Sequence, residues 1–325
     1  MNTPLRDRPV FICGHPKSGT SLLRNVLDSH PELVVYPEET GFFRRYLPEV
    51  QGQALAEKIS RADESLLHIF QWNQAHPPEH QNGFPDRDYS KISYEAVQDA
   101  FHARLTQEPV RHDGDLLSAA VLAYGSVVGQ LGPQTRHWVE KSTYNERFAG
   151  QIYSWWPEAV CIHIVRDPRD NYLSYQRKHP EWKAETFATS WIQSTREGLR
   201  NSARYESYRI LRYEDLVSEP QERLEELCEF LDIRFADSMQ TPSRAGQAWP
   251  GNSMFDVSFQ EIEASAAGRW KNALTASEAG LLWQLAKTEM QALDYTWDGE
   301  VPWESYVREA KWRVHAFFKT RGGNS

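Results

Sequence analysis

Gly14-His15-Pro16-Lys17-Ser18-Gly19-Thr20-Ser21 has the make-up of an anion-binding turn. A glycine-containing turn between a strand and a helix points backbone N–H groups at one spot, and the helix dipole adds partial positive charge there. Lys17 adds a full charge, and a hydroxyl pair, Thr20 and Ser21, follows. The favoured occupant is a phosphate-like anion. Two more clusters carry chemistry. Adjacent carboxylates at Glu38-Glu39, followed by aromatics, close a second strand, where α/β sheets place their ligands. On the residues alone the better reading is that they open a helix, whose positive end favours carboxylates. The third cluster is Arg166-Asp167-Pro168-Arg169-Asp170-Asn171-Tyr172-Leu173-Ser174. With Arg166 on a strand end and Ser174 on the helix that Pro168 opens, both converge on one anion.

The turn nearly fits the nucleotide-binding pattern G-x-x-x-x-G-K-[ST], but Thr20 stands where that pattern wants Lys. The lysine is Lys17, inside the loop, reaching the anion from another side. Pro16-Lys17-Ser18-Gly19-Thr20-Ser21 resembles the 5′-phosphosulfate loop of the PAPS-dependent sulfotransferases, P-[KR]-S-G-T-[ST], at every position. In motif style it is similar to bacterial, carbohydrate and tyrosyl-protein members. The bland alternative is an ordinary βα turn without a ligand, and a six-residue match after a strand weighs against it.

The resemblance implies roles. Lys17, Ser18, Gly19, Thr20 and Ser21 would hold the 5′-phosphosulfate. Glu39, directly before Thr40, matches the catalytic base of several carbohydrate and tyrosyl-protein members, with Glu38 as competitor. A histidine is the other alternative, as in the cytosolic small-molecule enzymes; His68, His76, His80, His102 and His112 are scattered without metal-ligand spacing. Trp138-Val139-Glu140-Lys141-Ser142-Thr143 resembles in part an E-K-[ST]-P element whose lysine approaches the transferring group; here Tyr144 replaces the proline. Arg166 and Ser174 keep the spacing of the 3′-phosphate site, and a bidentate guanidinium plus a hydroxyl suits a dianionic phosphomonoester. Arg169 reads instead as the partner of a neighbouring aspartate. Tyr213, in Tyr208–Leu216, is an adenine contact by resemblance and a core tyrosine by composition. Arg269 and Lys271, in Gly268-Arg269-Trp270-Lys271, are candidates for the 3′-phosphate end, although lone basic residues are usually solvated.

The implied reaction is in-line transfer of a sulfuryl group from PAPS to an acceptor hydroxyl, leaving PAP, without a metal (EC 2.8.2 class). The acceptor stays open between sugar, phenol, lipid headgroup, tyrosyl peptide and small natural product. A P-loop kinase or NTPase would want Lys at position 20 and an Asp ending a later strand, where this chain has Arg166. A non-catalytic nucleotide-binding protein would want a degraded loop or a missing base.

These residues need particular elements beneath them. Val10–Cys13 predicts a buried strand and Leu22–Leu27 an amphipathic helix. Leu33–Tyr36, Trp138–Thr143 and Ala159–Val165 predict further strands, Ala159–Val165 apolar enough to lie centrally, and Tyr208–Leu216 predicts another parallel strand and turn. Residues 44–134 read as a helical and loop insertion shaping the acceptor cleft, with helices at Tyr94–Leu105 and Leu116–Val128 and a loop at His76–Gly83. Leu224, Leu227, Cys228 and Leu231 form a core face without chemistry. Thr241–Asp256 is loop-like, and Thr275–Glu278 is a capping box opening the last clear helix. The alternation implies an α/β fold: a mainly parallel central sheet flanked by helices, P-loop-like, in one domain spanning 1–325.

Composition sets outer bounds. The 325 residues are 40% hydrophobic and 25% charged, as in soluble globular proteins. A net charge of −9 argues against a broad nucleic-acid surface but not against a local basic pocket. Cys13, Cys161 and Cys228 read as buried thiols in a reducing compartment. A short polar start and no long apolar run predict no signal peptide and no membrane span, hence a cytoplasmic enzyme. The tail beyond Gly299 is aromatic and basic, suited to packing on the body or on a partner, a homo-oligomer included.

Overall fold

β1 (Pro9–Cys13) is the middle strand of a five-stranded, all-parallel sheet. The computed structural model describes residues 3–76, 88–249, 251 and 262–321, those after Val314 by backbone alone. Most of the loop expected at His76–Gly83, with His80, and the end of that at Thr241–Asp256 lie outside the described residues. The other strands are β2 (Leu33–Val35), β3 (His137–Lys141), β4 (Val160–Val165) and β5 (Tyr208–Arg212), in the spatial order β2-β3-β1-β4-β5. Val10 pairs with Val139 on one side and Val160 on the other.

The helices follow in chain order: α1 (Thr20–Asp28), α2 (Leu47–Val50), α3 (Leu55–Leu66), α4 (His68–Ala75), α5 (Tyr94–Gln107), α6 (Gly114–Val127) and α7 (Ala149–Trp155). After β4 come α8 (Pro168–Lys178) and α9 (Ala184–Arg204), and after β5 α10 (Tyr213–Ser218) and α11 (Pro220–Phe230). The chain closes with α12 (Trp270–Ala273), α13 (Ala276–Gln291) and α14 (Trp303–Arg321).

Strand alternation divides the core between the two faces of the sheet. Val10 and Ile12, with Val139, Ile162 and Ile164, pack under α1, α10 and α11. Phe11 and Cys13, with Trp138 and Cys161, face the opposite side, against α6 and α7. α6 is buried along almost its whole length, which explains its weak polar–apolar pattern: a helix enclosed all round has no wet face. Residues 44–134 therefore do more than decorate the sheet, since α6 closes one of its faces. A third cluster joins Tyr172 and Tyr175 of α8, Phe187 and Trp191 of α9, and Leu281, Leu282 and Trp283 of α13.

The expected capping box is present, Thr275 Oγ1 accepting from the Glu278 N–H at 3.2 Å while the Glu278 carboxylate takes the Thr275 N–H. The three cysteines are free and buried. Two elements depart from the sequence reading. The α13 helix is not the last, because the aromatic tail forms α14, which packs on α13. A small antiparallel hairpin, β6 (Ser243–Arg244) and β7 (Gln247–Ala248), lies in the stretch read as loop, turned by Ala245 and Gly246, both at positive φ.

Candidate active site

All five strands run the same way, so their C-terminal ends share one edge. Each hands a candidate residue to that edge: Lys17 after β1, Glu39 after β2, Lys141 ending β3, Arg166 after β4 and Tyr213 after β5. The chain leaves β1 toward β2 on one side and reaches β4 on the other, and ligand crevices of open α/β sheets lie at such a switch.

The β1–α1 loop is shaped by its glycines. Gly14 and Gly19 have φ of 137° and 101°; a Cβ at Gly14 would run into the Ile164 carbonyl oxygen, and one at Gly19 would sit 2.5 Å from the Tyr213 ring. Lys17 itself holds a left-handed φ of 67°, a strained choice for a side chain with a Cβ. The loop is pinned from α8. Asn171 Nδ2 donates to the Pro16 carbonyl (3.2 Å) and to Ser18 Oγ (3.0 Å). Asn171 Oδ1 lies 3.1 Å from His15 Nδ1, which is also 3.0 Å from the Pro16 carbonyl. Both are acceptors, so the His15 proton sits on Nδ1. Burial pushes the His15 pKa down to about 4, keeping the ring neutral. Removing Asn171 takes the donor from buried Ser18 Oγ, at about 1–3 kcal/mol, while His15 Nδ1 and the Pro16 carbonyl keep each other. Asn171→Ala is expected to lower the thermal midpoint by several degrees in calorimetry, and an unchanged midpoint would show that the loop is held by other contacts.

Beneath the loop, the Gly14 N–H donates to the Glu146 carboxylate at 3.0 Å. Glu146 is buried, which raises its pKa, and Ser194 Oγ donates to its other oxygen. The Lys17 ammonium makes no hydrogen bond to a described residue. Burial first, then the charges of Lys178 and Lys141, pull its pKa down to about 8, against the attraction of Glu39.

Lys141 Nζ meets Glu39 Oε1 at 2.6 Å. Lys141 is buried, while the Glu39 side chain keeps 38% of its exposure and so faces the open edge. Burial works against ionisation of Glu39, but the charge and hydrogen bond of Lys141, with the charges of Arg24 and Arg45, hold its pKa below the ordinary carboxylate value. Burial also lowers the Lys141 pKa, opposed by Glu39. The segment carrying Glu39 is bolted to β3. Buried Glu140 accepts from Thr40 Oγ1 (2.7 Å), Ser142 Oγ (2.6 Å) and Asn145 Nδ2 (2.8 Å), and the Gly41 N–H donates to Ser142 Oγ at 3.0 Å. Glu38 turns elsewhere: it is buried, accepts from Tyr89 Oη at 2.7 Å and lies 3.8 Å from Arg244. The pair does not open a helix, because the next helical turn starts at Phe42.

The second anion cluster has also come together. Arg166 Nη1 donates to Ser174 Oγ at 3.3 Å and reaches the Lys17 carbonyl at 3.4 Å, linking the two clusters directly. Its other terminal nitrogen donates to the Ala266 carbonyl, and its guanidinium lies 4.5 Å from the Tyr213 ring centroid. Arg166 Nε is buried and has no partner among the described residues. A buried donor without an acceptor costs about 1–3 kcal/mol, and a bound anion would relieve that cost. Arg169 pairs with Asp167 at 2.6 Å, as its sequence reading had it, and also stacks 3.9 Å from the Trp270 ring. Asp170 accepts from the Gly268 and Trp270 N–H groups at 2.6 and 2.8 Å, so the Gly268–Lys271 element is clamped to the start of α8. Arg269 bonds to the Ser265 carbonyl and Lys271 is exposed.

His102 is engaged with Asp63 and His112 stacks on Trp155, and among the described residues no His/Cys/Asp/Glu group is arranged to hold a metal. No described helix is long and apolar enough to cross a membrane. Sequence reasoning missed His15, Asn171, Glu140 and Glu146. The available signal for Glu140 was its place on a strand buried on both faces, where a carboxylate needs several donors.

This edge, with two linked clusters of basic and hydroxyl groups and a lysine–carboxylate pair, has groups suited to holding an anion in an α/β fold. A family description, "Sulfotransferase family", matches residues 9–237, and the chain belongs to that family. A Caenorhabditis briggsae protein named "Putative protein-tyrosine sulfotransferase" is 23% identical over 241 residues, 72% of this chain and 68% of the relative. An uncharacterised Aquifex aeolicus protein is 24% identical over 241 residues, but the match spans 26% of its length. Among solved structures, the sulfotransferase domain of the curacin biosynthetic pathway is 22% identical, with a TM-score of 0.54 over 90% of this chain and 98% of that domain. The corresponding domain of the Synechococcus PCC 7002 olefin synthase gives 19% identity and a TM-score of 0.50, over 94% of each chain. These two place the fold among sulfotransferases.

Proposed function

We propose that this protein transfers a sulfuryl group from PAPS to an acceptor hydroxyl, with Glu39 as general base. The observation that carries the reading is the 2.6 Å Glu39–Lys141 pair on the same sheet edge as the Lys17 loop and Arg166. The residues suit the donor. Arg166 has an unsatisfied buried N–H beside Ser174 for a 3′-phosphate, and the 14–21 loop offers backbone N–H groups and Lys17 for the 5′ end. Ser18, Gly19, Thr20 and Ser21 complete that cradle, Tyr213 would face the adenine, and Arg269 and Lys271 flank the 3′ end.

Bound PAPS supplies an activated sulfuryl group and leaves as PAP. Lys17, Lys141 and the loop N–H groups supply fixed positive partners for the charge that builds on the leaving 5′-phosphate oxygen. Glu39 removes the acceptor proton as the hydroxyl oxygen attacks, a step that typically contributes ~10²–10⁴-fold. Lys141 keeps Glu39 ionised and aimed. With two lysines neutralising the leaving group, the scheme asks nothing of a divalent ion. A hydroxyl-bearing small molecule, carbohydrate or peptide side chain is the acceptor class, and a cytoplasmic setting suits three reduced cysteines.

Calorimetry of PAP binding without metal, compared with ATP and Mg²⁺, tests the reading. Tight binding of PAP and none of ATP supports it; the reverse would sink it in favour of a kinase or NTPase. The pH profile is a second check. The Lys17 pKa is lowered, so its cation is fully present below about pH 8 and lost as pH rises through that value. The kcat/KM of the wild type is expected to fall above about pH 8, while in kcat the same limb moves higher because bound anion favours the ammonium. A flat profile to about pH 9, one unit beyond that pKa, would remove Lys17 from the scheme.

A further inference from the structure

The exposed large apolar side chains among the described residues are Leu55 and four on α14: Trp303 (69% exposed), Tyr306, Val307 and Val314 (57%). Trp303, Val307, Ala310 and Val314 are all exposed and follow one another at intervals of four, three and four. That alternation keeps one stripe of a helix turned toward a partner helix, as in a coiled coil. The opposite side of α14 is fastened to the body. Ser305 is fully buried with its Oγ donating to the Ser277 carbonyl at 3.0 Å, and Arg308 donates to Glu185 at 3.2 Å. The stripe is thus held outward on a docked helix.

Charge along the helix selects the partner. Exposed Glu304 lies near its start, with Asp298 and Glu300 just before it, and exposed Lys311 lies farther along, while Glu309 and Arg313 pair with each other on the helix at 2.8 Å. A copy of the same helix running the opposite way sets Glu304 of each against Lys311 of the other, and the two helix dipoles also oppose favourably. A parallel copy would set like against like. We propose that α14 pairs antiparallel with α14 of a second copy of this chain, through Trp303, Val307, Ala310 and Val314, with Glu304 of each copy facing Lys311 of the other.

Sedimentation velocity on the full chain tests this. The wild type is expected to sediment as a dimer of about 75 kDa, twice the 37.6 kDa chain, at concentrations of about 10 µM. Val307→Asp with Val314→Asp places uncompensated charges in the seam and is expected to weaken dimerisation at least ~100-fold, with the circular dichroism spectrum retained. The charge variants avoid any question of folding, because both positions are solvent-exposed. Lys311→Glu alone is expected to weaken the dimer about threefold or more, and adding Glu304→Lys to restore it. A wild type that stays monomeric overturns the proposal, including one that instead floats with phosphatidylcholine vesicles. So does a dimer indifferent to the aspartates, or a charge swap that fails to restore association.

Discussion

Glu39→Gln is expected to reduce kcat by ~10²–10⁴-fold with PAP affinity changed by less than about threefold. The amide keeps the size of the carboxylate and still accepts a hydrogen bond from Lys141, so the fold around Thr40 and Gly41 stays bolted to Glu140 and Ser142. Proton acceptance is lost, together with the charge that supports the Lys141 ammonium. The measurement is the initial rate of PAP release at saturating PAPS and acceptor, in parallel with calorimetric titration of PAP. A companion variant separates this role from a packing one. Lys141→Met removes the charge that holds the Glu39 pKa down, leaving burial to push it up. Glu39 is active as the anion, so its contribution is present above its pKa and lost as pH falls through it. The acid limb of kcat/KM should therefore move to higher pH in Lys141→Met. An acid limb that stays put, or a Glu39→Gln enzyme with near wild-type turnover, would transfer the base role to another group, with Glu38 next in line.

Arg166→Ala is expected to weaken PAP binding by about 2–5 kcal/mol, roughly 30-fold to several thousandfold. Arg166 touches both clusters, through Ser174 Oγ and the Lys17 carbonyl, and its buried Nε has no partner among the described residues. Its loss would also free the Ala266 carbonyl, so a thermal midpoint must be measured beside the affinity. Ser174→Ala provides the gentler test, with a loss of up to about tenfold for one neutral hydrogen bond. If both variants bind PAP like the wild type, the 3′-phosphate lies elsewhere.

The parts of this fold legible in the sequence are those whose signal is local. β1 and β4 are buried on both faces, so Val10–Cys13 and Val160–Val165 read as apolar runs with His163 the exception; its burial pushes its pKa to about 3, and it bonds to Tyr208 as a neutral ring. The positions of Lys17, Glu39, Lys141 and Arg166 near strand ends, and of Ser174 on the helix after β4, were legible because short motifs carry them. Glu146 and Asn171 were not, because their partners lie 132 and 153 residues away, at Gly14 and Ser18. No spacing rule spans such distances. The α14 helix escaped for the opposite reason: its apolar stripe points away from the core, so the tail showed aromatics without an evident destination. The β6–β7 hairpin is too short to have a period, and only its Ala245–Gly246 turn gives it away.

The order β2-β3-β1-β4-β5 divides the labour of the sheet into two territories. The groups suited to the nucleotide come from β1, β4 and β5, whereas Glu39 and Lys141 come from β2 and β3, the strands against which α6 packs. Under the proposed function, changes confined to the helices of residues 44–134 would alter the choice of acceptor and leave the nucleotide half as it is. A graft of α2–α5 from one relative to another would be the laboratory version of such changes: a new clientele served with an unchanged currency.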